Sequence, residues 1–226
     1  MSDREAFSLL SLLEKEITRY DYSSYDTVLN EYLSSWRRKC VVWMYNVIDH
    51  FHLSRDLVII ATWYTDRILL FQYIHTSREL ILVILASIRL ADKLYGFSHG
   101  PFTDSLLIAL GKHEYTSGEF AVMECDILQC LHWFVHPPTS ICFLKAMVHT
   151  LMLHPDVYES CSDLIYQAST KPTFMNFRQS LIAYASILRF KTVTNTDIDV
   201  SILNSISVFQ ASVDDILDVT MELFSD

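Results

Sequence analysis

The sequence predicts an all-α protein, and three observations carry that expectation. The chain has 226 residues but only four glycines, Gly96, Gly100, Gly111 and Gly118, all in one short stretch. Neither glycine nor proline occurs in the first 95 residues, so strong punctuation is missing there. Apolar residues recur at helical spacing, as in Leu57, Ile60, Ala61, Tyr64 and Ile68. Phosphate-cradling loops and dinucleotide folds need glycine where backbone approaches a ligand. Hairpins favour Asn-Gly or Asp-Gly, and neither pair is present. P-loop enzymes, Rossmann enzymes and most all-β folds are therefore disfavoured.

The elements follow in order. Residues 5–19 read as a first helix, with Phe7, Leu10, Leu13 and Ile17 on one stripe. Residues 20–27 are polar and turn-prone. The spacing of Cys40, Trp43, Val47 and Phe51 predicts a helix over 36–51. Ser54 is placed to cap the next one. Ser77 opens ELILVILASIRLA, apolar on nearly every side, and the pattern persists to Leu94, too long for a strand. A helix of that kind is enclosed by other helices. Residues 96–118 read as a flexible, turn-rich stretch. Another helix is expected from Glu119 to Trp133, and Pro137-Pro138 then breaks the chain. Beyond it, helices are expected from Thr139 to Leu153, from Pro155 to Ala168, over 175–191, and once or twice within 197–224. The sequence thus divides into an N-terminal segment (1–34), a first helical domain (35–136) and a second (137–226).

Lys and Arg total 17 against 27 Asp and Glu, a net charge of −10. That balance argues against nucleic-acid binding, which needs cations to neutralise phosphates. Five cysteines, an odd number without Cys-x-x-Cys, read as small core residues in a reducing compartment. The longest apolar run, Leu80 to Ala86, falls far short of the roughly 20 residues of a membrane span. MSDREAFSLL does not read as a signal peptide. A soluble intracellular protein is expected, in the nucleus, the cytoplasm or both.

The sharpest catalytic signal is Asp214-Asp215-Ile216-Leu217-Asp218. Carboxylates on one helix face hold hard cations, and all-helical isoprenoid-processing enzymes use such a motif. A second motif and basic residues for a diphosphate are lacking. The favoured reading is the wet face of an amphipathic helix whose dry face is Val213, Ile216, Leu217 and Leu223. His132 and His136 stand four apart but run into the prolines, and no His-Glu-x-x-His is present. No active site, metal or cofactor is legible, so binding is favoured over catalysis.

Four blocks together resemble the cyclin box. They are Arg37-Arg38-Lys39-Cys40-Val41-Val42-Trp43-Met44; Ala61-Thr62-Trp63-Tyr64-Thr65-Asp66-Arg67-Ile68-Leu69; Leu90-Ala91-Asp92-Lys93; and Met123-Glu124 through Trp133 to Pro138-Thr139 and Phe143-Leu144. The resemblance implies two tandem five-helix bundles after an N-terminal helix, each with a central apolar helix, here ELILVILASIRLA and SLIAYASILRF. It implies a regulatory cyclin that binds and activates a cyclin-dependent serine/threonine kinase in control of the cell cycle, itself catalysing nothing. Lys93 and Glu124 match the family's kinase-contacting residues. Arg37 and Asp66 match an internal pair joining two helices. A degenerate docking patch for substrate or inhibitor peptides maps to Trp36, Arg37, Lys39, Cys40 and Trp43. A cyclin-fold scaffold without kinase activation is the alternative.

Overall fold

The computed structural model describes residues 9–19, 31–71, 74, 76–96, 101–204 and 213–224. Every regular element among them is helical. The chain divides into two compact units, Thr27–Pro137 and Met1–Asp26 with Pro138–Asp226.

The first unit contains α2 (Glu31–His50), α3 (Asp56–Phe71), α4 (Ser77–Tyr95), α5 (Asp104–Leu110) and α6 (Ser117–Cys130). Helix α4 is its centre, packed on α3 and α6. From Leu82 to Ile88 every residue of α4 is buried, as the all-round apolar sequence requires. Its start is fixed by a capping box. Thr76 Oγ1 accepts from Glu79 N–H, and the Glu79 carboxylate accepts from Thr76 N–H. Thr116 and Glu119 repeat the device at α6. At α3, Ser54 Oγ accepts from Asp56 N–H at 3.3 Å.

The second unit holds α1 (Leu9–Arg19), α7 (Ser140–Thr150), α8 (Pro155–Ser169), a 3-10 turn (Pro172–Asn176), α9 (Gln179–Thr194), α10 (Ser201–Asn204) and α11 (Val213–Phe224). Helix α9 is enclosed by α7, α8 and α11, with α1 against its side, and Gln179–Ile187 are all buried. No side chain of α9's own flank caps its first turn. The buried Glu16 of α1 does so instead. Its carboxylate accepts from Ser180 N–H at 3.0 Å and from the Ser180 hydroxyl, and Arg178 pairs with it at 3.2 Å. A carboxylate at a helix N-terminus satisfies orphan donors and complements the dipole.

Several boundaries correct the sequence reading. Residues 5–8 and 20–27 lie outside the described residues. The glycine-bearing stretch 96–118 is not simply a flexible loop, because it contains α5, capped by Thr103. Gly111, just past α5, is required by close approach, since a Cβ there would run into the Tyr115 ring. Helix α6 ends at Cys130 rather than Trp133, and α7 at Thr150 rather than Leu153. Both carry the stop signal usually written as glycine without having one. Trp133 N–H bonds back to Leu128 O, and Leu153 N–H to Val148 O. Leu53 with Ile48 ends α2, and His113 with Ile108 ends α5, in the same way. The residue that turns each corner, His52, Lys112, His132 or Met152, sits at positive φ between 47° and 54°. A glycine-poor chain ends these helices on side chains that tolerate the left-handed region badly, at about 1–2 kcal/mol each.

Met152 is 93% exposed with φ 51°, so its side chain offsets little of that strain. Met152→Gly is expected to stabilise the protein by about 1 kcal/mol, read as a rise of roughly 2–4 °C in Tm. A fall in Tm would mean the side chain contributes packing worth more than the strain.

Candidate functional site

In the first unit a buried ion pair joins α2 to α3. Arg37 of α2 donates from Nε to Asp66 Oδ1 and from Nη2 to Asp66 Oδ2, both at 2.9 Å. The two side chains are 2% and 6% exposed, so the bond lies in the core. Burial pushes the Asp66 carboxyl up from its ordinary value, and the two Arg37 bonds pull against that.

The C-terminal end of α4 builds a second, exposed cluster. Lys93 Nζ donates to both oxygens of Glu124 on α6, at 2.8 and 2.6 Å. The lysine side chain is 47% exposed and the glutamate only 12%. Lys93 thus stands at the surface, whereas Glu124 is largely covered. The reason is a third residue that the sequence reading passed over. Arg89, one turn before Lys93 on the same face of α4, places Nε 3.3 Å from Glu124 Oε1. Arg89 is itself held by Asp104 at the start of α5. A cation spaced i, i+4 from Lys93 inside an otherwise apolar segment was the available signal.

Beside this cluster the Asp92 carboxyl is buried and accepts from Phe102 N–H, and burial pushes it up from its ordinary value. Helix α4 ends at Tyr95, and the next position takes glycine because a Cβ on Gly96 would collide with Asp92. Apolar side chains stand exposed along the same end. Leu94 and Tyr95 follow Lys93, and Trp133, 68% exposed at φ 63°, and Phe134 follow α6. Tyr95 joins the two stretches by donating its hydroxyl to Val135 O at 3.2 Å and meeting His136 Nδ1 at 2.7 Å. Because α6 has ended, His132 and His136 do not share a helix face, and the metal spacing they suggested is not formed.

The mapped docking patch is divided. Trp36, Cys40 and Trp43 are half-buried and Lys39 is exposed, its ammonium 5.6 Å from the Trp36 ring centroid. Arg37 is withdrawn into the pair with Asp66. Burial pushes the Cys40 thiol up to about 11, so it is an unreactive apolar filler there. The cysteines do not all sit in the core as expected: Cys161 is buried, Cys125 is exposed, and all five are free thiols. On α11, Asp215 and Asp218 are exposed and Val219 and Leu223 are buried, while the side chains of Val213, Asp214 and Leu217 lie outside the described residues. Among the described residues no group of three His, Cys, Asp or Glu side chains is placed to hold a metal ion, and no helix is long and apolar enough to cross a membrane.

A family model described as cyclin, N-terminal domain, matches residues 6–136. Cyclin-D3-1 of Arabidopsis thaliana is 26% identical over 164 residues, covering 70% of this chain and 43% of that protein. G2/mitotic-specific cyclin-1 of Antirrhinum majus is 25% identical over 191 residues, covering 84% of this chain and 39% of that protein. The chain thus spans less than half the length of these curated relatives. Among solved structures, a viral cyclin from herpesvirus saimiri superposes with a TM-score of 0.74 at 23% identity, covering 96% of this chain and 97% of the viral one.

Removing one member of the Arg37–Asp66 pair strands the other charge in the core. Asp66→Ala is expected to destabilise by about 3–5 kcal/mol, with any binding defect following from the loss of fold. Thermal unfolding measures it, and a near-unchanged Tm would contradict the pair's structural role.

Proposed function

The chain belongs to the cyclin family, and from that membership we propose that it binds a cyclin-dependent serine/threonine kinase, raises its activity and so acts in control of the cell cycle. The observation that carries this reading is the cluster at the end of α4. A flexible, half-exposed ammonium stands beside a carboxylate already fixed in direction, with Leu94, Tyr95, Trp133 and Phe134 exposed nearby. Charged groups that orient a contact, beside aromatic groups that lose little entropy on burial, suit a protein interface. Lys93 would donate to backbone carbonyls of the kinase and Glu124 would accept from its amides. Pressed against a kinase helix, the edge would shift the kinase towards the arrangement in which its lysine–glutamate pair is aligned. On this reading the chain works in the nucleus, the cytoplasm or both.

Lys93→Ala combined with Glu124→Gln is expected to lower kinase affinity by about 2–5 kcal/mol, which amounts to loss of co-purified kinase activity. Asp215→Ala with Asp218→Ala, on α11, is expected to leave that activity unchanged. Phosphotransfer by material pulled down with each variant measures both. Retention by the first or loss by the second would contradict this assignment.

The patch around Trp43 is proposed to be a poor docking site for basic-apolar peptides. Lys39 repels an arginine-bearing peptide, and its ammonium lies over the Trp36 ring. Fluorescence polarisation with an Arg-x-Leu peptide is expected to show weak or absent binding, improved by Lys39→Ile. Tight binding by the unaltered chain would refute it.

A further inference from the structure

Glu124 faces two cations, and they are not equivalent. Lys93 holds it from the solvent side with a 47% exposed side chain. Arg89 approaches it from within, its side chain 15% exposed and its guanidinium anchored on Asp104. A carboxylate only 12% exposed that loses all its cations bears a large desolvation cost. If Lys93 were its sole partner, turning that ammonium towards another protein would strand the charge. With Arg89 in place the carboxylate keeps a cation beside it.

We propose that Arg89, held by Asp104, is the positioning residue that keeps Glu124 paired and thereby frees Lys93 to engage a partner. This rests on the proposed kinase contact for the identity of the partner, but not for the coupling between the three side chains. The ion network Asp104–Arg89–Glu124–Lys93 spans α4, α5 and α6, so the short helix α5 acquires a role in shaping the edge. Arg89 is largely covered and lies within ion-pair distance of both Asp104 and Glu124, whereas Lys93, half-exposed on a flexible stem, carries the adaptable contact.

The free chain supplies the first test. Lys93→Ala alone is expected to lower Tm by no more than about 2 °C, because Arg89 remains. Arg89→Leu with Lys93→Ala is expected to lower it by several degrees more than the two single changes together. Additive shifts would overturn the proposal. A second readout is one that a merely structural role would not move. In Arg89→Leu the Lys93 ammonium is the last cation on Glu124, so its acetylation by acetic anhydride, followed by peptide mass spectrometry, should slow by about threefold or more. An unchanged rate would overturn the proposal.

With the kinase catalytic subunit that co-purifies with the unaltered chain as probe, Arg89→Leu is expected to bind about tenfold more weakly, and Arg89→Lys to recover part of the loss. Undiminished binding by Arg89→Leu would refute the positioning role. If the unaltered chain captures no kinase, the functional assignment fails, and the Tm coupling and the acetylation rate still decide whether Arg89 holds Glu124.

Discussion

A helix without a polar face has to be enclosed, and each unit of this protein is arranged around one such helix. In α4 the buried residues run unbroken from Leu82 to Ile88, and in α9 from Gln179 to Ile187. Enclosing a cylinder of that kind takes neighbours on several sides, and the amphipathic helices around it supply them. The polar atoms that come along must then be answered inside. Arg37 and Asp66 answer each other across α2 and α3, and Glu16 answers the first turn of α9. Such pairs add little net stability, yet breaking one is expensive, and this makes the packing arrangement specific.

The end of a buried helix is where it can meet another molecule. Helix α4 is exposed near its start, at Ser77, Arg78 and Ile81, and surfaces again in its last turn, where Lys93, Leu94 and Tyr95 become exposed. Just past that turn Gly96 packs so close to the buried Asp92 that no side chain fits there. The exit of α6, with Trp133 at positive φ and two-thirds exposed, comes to the same edge through Tyr95 and Val135. Strain and exposed aromatic surface at one place are costly to the isolated chain.

Much of the candidate site was legible. The blocks containing Arg37, Asp66, Lys93 and Glu124 stand out in the sequence, and the structure brings the first two together in the core and the last two together at the surface. Arg89 and Asp104 were not legible as a pair. They are separated by the glycine-bearing stretch, and only the packing of α5 brings them within reach. The covering of Glu124 was missed for the same reason, since a carboxylate's exposure depends on what a distant residue lays over it.

The sequence by itself determined the helical class, the central helices and the cap at Ser54. These depend on periodicity, on the absence of glycine and proline, and on threonine or serine placed before an apolar run, all of them local properties. Tertiary structure decided where α6 and α7 stop, because left-handed exits at His132 and Met152 need no residue that a sequence pattern recognises. It also decided that α1 packs with the residues after Pro137, and that Arg37 is a core residue rather than part of a surface patch. Both follow from a buried charge seeking its partner across more than twenty residues of chain, an interaction set by three-dimensional proximity and not by spacing along the sequence.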